Sequence, residues 1–367
     1  MFTRSDDKIT STQASIFLTN SVLGSGILTL PRGVVEIVQT PDVWLSVLLG
    51  GLVVLGVIFV MVKLSQQFPG LTVYQYARLI VGKVPGGLLC SILILYYLVI
   101  AGFEARVLAE IMGFFLLEGT PSYAVVIPFI WVSTYLVFGG INSIARVFQI
   151  IIPISIFVLV IAYGFSLHLF EINNLRPLLS EGIVPVVKGL KSTILIYSGC
   201  EVIMTLVGHM ESPGEAMKAM TVGIGIPALI YLSTVIVVIG GLTVDAVMRS
   251  TWPTIDLMRT FEITGLFFER FEFPFLVIWI MQMFCNFSSF FFNASLGITQ
   301  IFKVSRTWAI LGIIPVVFII TMIPKRINDV FNLGNDIGYA SIIIFFLVPC
   351  LLSLIYIIRK KGLKQNV

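Results

Sequence analysis

The chain has 367 residues, of which 57% are hydrophobic and only 11% are charged. Soluble domains carry about a quarter of their residues as Asp, Glu, Lys and Arg, so this composition excludes a soluble globular protein. It predicts an all-α integral membrane protein, because the apolar runs are long enough to span a bilayer and do not alternate as barrel strands do. The net charge of +4 comes without a basic stripe, which argues against nucleic acid as a partner.

Ten apolar runs bounded by charged residues predict ten transmembrane helices in a single polytopic domain, 1–367. The runs are 12–38, 43–62, 86–117, 122–139, 147–167, 184–208, 219–242, 273–297, 307–323 and 337–358. An even number puts both termini on one side of the membrane. Lys and Arg are in excess on that side, which predicts that the N- and C-termini are cytoplasmic.

Five runs fall within 1–167 and five within 184–358, which suggests two repeats of five helices. The connector 243–272 joins the seventh and eighth runs outside the cytoplasm. It is polar but rich in aromatic residues, and we expect a short helix on the membrane surface there. Its possible roles are those of an outer lid or of a partner-docking surface.

The first run carries Gly24, Ser25 and Gly26 near its middle, at the depth of the bilayer centre. A single central glycine is typical of a close contact between helices. A Gly-Ser-Gly triplet is a stronger signal, because none of its residues favours helix and the serine can bond freed backbone groups. The triplet therefore predicts an interrupted helix.

The sixth run has a similar polar centre, Tyr197-Ser198-Gly199-Cys200-Glu201, whose last residue is the run's carboxylate. An ionisable group at mid-membrane usually faces a cavity or a partner and is a functional candidate. Alternatively, its carboxylate bonds backbone amides that are freed by a helix break. The two interpretations are compatible.

Interrupted helices at corresponding positions of two halves are typical of a transporter-type binding site. Five spans per half also invert the orientation of the second half. Each break exposes the amide end of one half-helix, which suits a carboxylate, and the carbonyl end of the other, which suits an ammonium group or a cation. A zwitterionic amino acid could be held there with no charged side chain contacting it.

The third run carries three charged residues. Arg106 and Glu110 are four residues apart and are expected to form an ion pair on one helix face. Glu104 shares a different face with Tyr97 and Ala101. These three could line a common cavity, or Glu104 could pair with another helix.

Small polar residues of the eighth run could supply oxygens to a sodium ion or a ligand, although hydrogen bonds between helices are the commoner use. They are Asn286, Ser288, Ser289, Asn293 and Ser295. The four cysteines lie in apolar runs without a metal-ligand spacing, so we expect no metal and no cofactor. No arrangement typical of a catalytic site is visible, and we do not expect an enzyme.

Two motifs resemble those of a known superfamily. GSGILTLP in the first run and YSGCE in the sixth are similar to the helix breaks of the amino acid–polyamine–organocation transporters. The chain resembles more closely the spore germination permeases, the B subunits of nutrient germinant receptors in endospore-forming bacteria. That resemblance includes KITSTQ, KLSQQFPGLTVYQYARLIVGKVPG, NLRPLLSEGIVPVVKGL and WPTIDLMRTFEITGLFFERFE.

The resemblance implies a LeuT-like fold, a 5+5 inverted repeat with helices one and six broken. It also implies assembly with an A subunit and a lipoprotein C subunit in the spore inner membrane. The resemblance also implies the site residues. The ligand carboxylate would meet Gly24, Ser25 and Gly26, and the opposite wall would consist of Tyr197, Ser198, Gly199 and Cys200. The pocket would be closed by Tyr97, Ala101 and Phe287. Cys200 stands where the family often has an aromatic residue, which leaves the ligand's size open.

Three functions fit these expectations. The leading hypothesis is a germinant-sensing membrane subunit that binds an amino acid or a similar small nutrient. The alternative is a secondary amino-acid transporter coupled to protons through Glu201 or Glu104. A structural membrane scaffold with a vestigial site is the third, since a fold does not establish a function.

Overall fold

The structure, a computed structural model, describes residues 7–260 and 272–363. Its regular elements within those residues are helices, most of them joined by short connections, while residues 167–183 join α7 to α8. They are α1 (Ser11–Val22), α2 (Gly26–Val38), α3 (Val43–Ser65), α4 (Val73–Val81), α5 (Lys83–Phe115), α6 (Ser122–Phe138), α7 (Gly140–Ser166), α8 (Val184–Leu195), α9 (Ile203–His209), α10 (Ala216–Leu242), α11 (Val244–Arg249), α12 (Pro253–Arg259), α13 (Glu272–Phe302), α14 (Arg306–Met322), α15 (Ile327–Ile342) and α16 (Val348–Leu363).

Six helical segments in the described residues are long and apolar enough to cross a membrane: Val43–Ser65, Lys83–Phe115, Gly140–Leu169, Pro213–Leu242, Phe273–Phe302 and Ile327–Lys360. The bent pair α1 and α2 makes a seventh span if it counts as one. Three shorter apolar helices, Ser122–Phe138, Cys200–His209 and Arg306–Met322, fall below that length. The predicted multi-pass, all-α membrane protein is confirmed, and the number ten stays a prediction.

The first predicted interruption is present. Helix α1 begins with a capping box, in which Thr10 and Gln13 each accept from the other's backbone amide. It ends at Val22, and α2 starts at Gly26 with its axis turned by 54°. The Gly-Ser-Gly triplet therefore breaks the helix where the sequence predicts.

The sixth span is interrupted in the same way. Helix α8 ends at Leu195, and the chain turns through residues 196–199 before a 3-10 turn, Cys200–Val202, leads into α9. Gly199 has φ +110°, a backbone conformation that side-chain-bearing residues rarely adopt. A glycine at this position is what lets the chain reverse out of the helix.

Helix α1 lies at the centre of the molecule, packed against α7, α10 and α13, and α5 packs along α13. The approach of α10 to α1 is close because Gly223 has no side chain. A Cβ at that position would lie 2.8 Å from the backbone oxygen of Ser15. Thr19 Oγ1 donates to the Gly223 carbonyl at 2.9 Å. Small residues and buried hydroxyl bonds thus hold the broken helix in the core.

Helix boundaries differ from the sequence prediction at several runs, and the largest difference is at the tenth. The tenth run was expected at 337–358, whereas helix α15 already starts at Ile327 and continues through a π-helical segment, Ile343–Leu347, into α16. The first half of α15 is polar, so a search for apolar runs ends short of it. The connector 243–272 contains two short helices, α11 and α12, and its residues 261–271 lie outside the described part of the chain.

Candidate functional site at the two helix breaks

A cavity of about 500 Å³ lies between the two breaks, a volume in the range that small-molecule sites have. Gly24, Ser25 and Gly26 line it from the first break, and Ile196 and Ser198 line it from the sixth span. It extends along α2 as far as Glu36, which is exposed. The cavity is thus a cleft that starts at both breaks and opens at the far end of α2.

The Glu104 side chain of α5 lines this cavity and accepts hydrogen bonds from Ser25 at the first break. Its Oε1 accepts from Ser25 Oγ at 2.8 Å, and its Oε2 accepts from the Ser25 backbone N–H at 3.1 Å. The carboxylate therefore sits on the amide end of α2, where the positive pole of that half-helix lies. Of the two positions that the sequence left open for Glu104, on a cavity wall or paired with another helix, the structure has it on the cavity wall.

The carbonyl groups that the first break leaves free are bonded by side chains of α13. Trp279 Nε1 donates to the Gly24 carbonyl at 3.1 Å. Gln282 Nε2 donates to the Leu23 carbonyl at 3.0 Å. Backbone groups that have lost their helical partners must find others in a dry interior, and α13 supplies them.

Asn286 continues the same face of α13 one turn further. Its Nδ2 donates to the Ser21 carbonyl at 2.7 Å, and Ser289 Oγ lies 2.6 Å from Ser21 Oγ. A Cβ on Gly24 would lie 2.8 Å from the Asn286 side chain, so this glycine makes room for the contact. Asn286 and Ser289 thus form the hydrogen bonds between helices that we expected as the commoner use of these residues.

The hydroxyl of Tyr231 lies between the two breaks. It donates to the Val22 carbonyl at 2.8 Å and is 3.4 Å from the Ile196 carbonyl. Its ring packs edge-on against Tyr197 with centroids 5.6 Å apart. One side chain of α10 therefore contacts the end of α1 and the end of α8.

The break in the sixth span is bonded mostly by its own residues. Glu201 Oε2 accepts from the Gly199 backbone N–H at 2.9 Å, as expected for a carboxylate that satisfies freed backbone. Tyr96 of α5 bonds Ser198, with the two hydroxyl oxygens 2.7 Å apart. The carboxylate of Glu201, two residues after Gly199 in the chain, thus closes the turn.

The structure brings five of the predicted site residues onto the cavity wall: Gly24, Ser25, Gly26, Glu104 and Ser198. The others are buried and are not among its lining residues, namely Tyr97, Ala101, Tyr197, Gly199, Cys200, Phe287 and Glu201. Phe290 lines the cavity instead of Phe287, which was the predicted residue. The binding roles of all of them stay predictions.

Sequence reasoning missed one whole wall of the cavity, which helix α15 provides. Asn328, Asn332 and Asn335 line the cavity at spacings of four and three residues, which put them on one face of the helix. Phe331 also lines it and lies under the Arg32 guanidinium, 5.4 Å from ring centroid to Cζ. The periodic asparagines were the available signal, but they precede the apolar run that was searched.

The remaining polar predictions concern the rest of the bundle. Arg106 and Glu110 form the expected ion pair, with 2.5 Å between Nη2 and Oε1. Cys90, Cys200 and Cys285 are free and buried. Across residues 7–260 and 272–363, no group of three or more His, Cys, Asp or Glu side chains is placed to hold a metal ion.

Comparison with solved structures places the fold. The crystal structure of MhsT in complex with L-phenylalanine superposes with a TM-score of 0.67 at 12% sequence identity, and the match covers 95% of this chain and 89% of that one. At this identity the likeness shows the fold alone. The predicted fold class, a LeuT-type membrane protein with broken helices one and six, is confirmed.

Sequence comparison places the family. The profile described as spore germination protein matches residues 8–330. Spore germination protein YndE of Bacillus subtilis (strain 168) is 46% identical over 97% of this chain and 98% of its own length. Spore germination protein B2 of the same strain is 35% identical over 99% of both chains. With a matching profile and relatives that align from end to end, the chain belongs to the spore germination protein family.

Proposed function

We propose that the protein is the germinant-sensing membrane subunit of a spore nutrient receptor and binds an amino acid or a similar small nutrient between the two helix breaks. The observation that carries this proposal is the cavity of about 500 Å³, which both breaks border. Its size suits a small molecule, and the polar side chains and the carboxylate on its wall can fix the orientation of a ligand. Membership in the spore germination family supplies the biological setting.

The arrangement of the broken helices suggests how binding would be transmitted. The cavity opens along α2, while the opposite ends of the two broken spans are tied together. The Ile9 N–H donates to the His209 carbonyl at 2.8 Å, and the Glu211 N–H donates to the Ile9 carbonyl at 3.0 Å. A nutrient that binds one arrangement of these half-helices better than another would shift the receptor toward it.

The wider assembly is part of the proposal. An A subunit and a lipoprotein C subunit would be the partners, and the spore inner membrane would be the location. Both termini would face the cytoplasm, in agreement with the excess of Lys and Arg on that side. Copurification of the three subunits from spore membranes tests the assembly.

A substitution at Gly26 tests the binding site. A side chain there would project toward Ile196 and the Tyr231 hydroxyl, whose oxygen would lie 3.4 Å from the new Cβ. Gly26→Leu should therefore fill the cavity between the breaks and abolish the nutrient response of spores at unchanged receptor level. The measurement is germination against nutrient concentration, with receptor quantified by immunoblot.

Gly56→Leu is the matched control. Gly56 lies within α3, with no atom within 4 Å of an added Cβ, and should accept the same side chain without effect. Normal nutrient sensitivity of Gly26→Leu spores would contradict the proposed site.

A secondary transporter is the second candidate, and the two buried carboxylates favour it. Glu104 and Glu201 each bond backbone at a break, in positions where gain or loss of a proton would alter those bonds. Uptake of labelled amino acids by the purified protein in liposomes, with an imposed proton gradient, separates the candidates. Concentrative uptake by the subunit alone would support transport, and binding without uptake would support sensing.

A further inference from the structure

The charge of Glu104 lacks a partner within the described chain. Its side chain is only 6% exposed, and Ser25 provides its hydrogen bonds. The ion pairs found in the described ranges, 7–260 and 272–363, do not involve Glu104. They are Arg32–Glu36, Arg106–Glu110, Arg259–Asp256 and Arg306–Asp7. Buried charges are normally paired, because desolvation of an isolated one is costly.

The contacts that Glu104 makes with Ser25 are contacts that an ionised carboxylate can make. Oε1 accepts from the Ser25 hydroxyl and Oε2 accepts from the Ser25 amide, so both oxygens act as acceptors, as those of an ionised carboxylate do. An ionised carboxylate has lone pairs for about four hydrogen bonds, and only part of that capacity is used here. The remainder faces the cavity that Glu104 lines.

The same contact places a carboxylate beside the donors that a ligand carboxylate would need. The Ser25 amide is one of the amides at the start of α2, and Glu104 already accepts from it. A second carboxylate at this amide would lie against the first, and like charges at that distance repel. The first break therefore presents a negative group to a ligand, although its backbone dipole alone would present a positive one.

We infer that Glu104 is a specificity-determining residue that pairs with a protonated amine of the ligand, so the site selects small amines and holds an amino acid by its ammonium end at the first break. This inference rests on the proposed function and reverses the ligand orientation that the resemblance implies. The rest of the ligand then extends toward the cavity mouth, where Arg32 and the asparagines of α15 supply donors for a carboxylate or other polar group.

The experiment measures thermal stabilisation of the purified protein in nanodiscs by three matched sets of compounds. They are the common amino acids, their amides, which keep the amine and lose the carboxylate, and the corresponding 2-hydroxy acids, which keep the carboxylate and lose the amine. We expect stabilisation by particular amino acids and their amides and none by the 2-hydroxy acids. Glu104→Gln, which keeps the shape and an acceptor for Ser25, should weaken amine binding by about 30-fold or more.

Glu118→Gln is the control, because it removes the same charge from an exposed side chain that does not line the cavity. It should change affinity by no more than about threefold. If Glu104→Gln fails to fold, Glu104→Asp replaces it, because it keeps the charge. Glu104→Asp should still prefer the amine over the hydroxy acid. Loss of that preference would contradict the inference.

The outcomes also separate this inference from the proposed function. Equal stabilisation by an amino acid and its 2-hydroxy acid, or wild-type amine affinity in Glu104→Gln, overturns the role of Glu104 and leaves nutrient binding intact. Stabilisation by none of the compounds contradicts both.

Discussion

The two helix breaks look alike in sequence but are held in different ways. The first break depends on other helices, since Trp279, Gln282 and Asn286 of α13 bond its carbonyls and Glu104 of α5 bonds its amide end. The second break is closed locally, by a glycine with positive φ and by a carboxylate two residues away. The second break is therefore closed mainly by its own residues, with one added hydroxyl bond from Tyr96 and one from Tyr231, whereas the first depends on side chains of other helices.

This difference has a consequence for function. A break that other helices hold can change when those helices move, while a locally closed turn tends to move as one piece. The Tyr231 hydroxyl contacts both breaks and is placed to transmit a shift of one to the other. Changes in single residues can test which contacts hold each break.

The largest effect is expected at Gly199. A Cβ there would lie 2.2 Å from the Ser21 backbone oxygen, and φ is +110°, so Gly199→Ala adds both a clash and backbone strain. We expect a loss of about 3 kcal/mol or more in the free energy of unfolding. Thermal unfolding of the purified protein measures it. Gly56→Ala, with open space around the added methyl group, should be neutral or slightly stabilising, and equal stability of the two variants would contradict a strained turn.

An intermediate effect is expected at Asn286. Asn286→Ala removes the donor to the Ser21 carbonyl and leaves that buried oxygen without its bond from α13, at a cost of about 1 kcal/mol. Thr299→Val is the control, because Thr299 bonds a carbonyl of its own helix. If both variants unfold at the wild-type temperature, the bond from Asn286 does not stabilise the first break.

The smallest effect is expected at Tyr231. Tyr231→Phe deletes the bond to the Val22 carbonyl but keeps the ring against Tyr197, so the loss should be about 0.6 kcal/mol. Tyr123→Phe, at an exposed tyrosine of α6, should change nothing. A loss as large as that of Gly199→Ala would mean that Tyr231, rather than the local turn, holds the second break.

The fold could be predicted from the sequence because its signals are local and strong. Apolar runs define most of the helices, the Gly-Ser-Gly triplet marks the first interruption, and Gly199 marks the second. At Gly199 the backbone conformation, with φ +110°, excludes most other residues. The hydrogen bond between the Glu201 carboxylate and the Gly199 N–H could also be predicted, because the two residues are only two positions apart in the chain.

The cavity wall could not be predicted to the same extent. Glu104 lies 79 residues from Ser25 in sequence, and no local pattern shows that its carboxylate covers the amide end of α2. The asparagines of α15 were not predicted for a different reason. A helix that borders a polar cavity carries polar residues on one face, and these residues interrupt the apolar run by which a helix is recognised. In both cases the missing information was which helix packs on which.

The cavity between the two breaks is the proposed place of a small nutrient. The most direct measurement is maleimide labelling of Thr29→Cys, a cavity-lining position, in a Cys350→Ser background that removes the exposed native thiol. With the common amino acids supplied as a mixture, labelling at residue 29 should slow, while a Ser212→Cys control on an exposed connector keeps its rate. Labelling of Thr29→Cys at the same rate with and without the amino acids would contradict the claim.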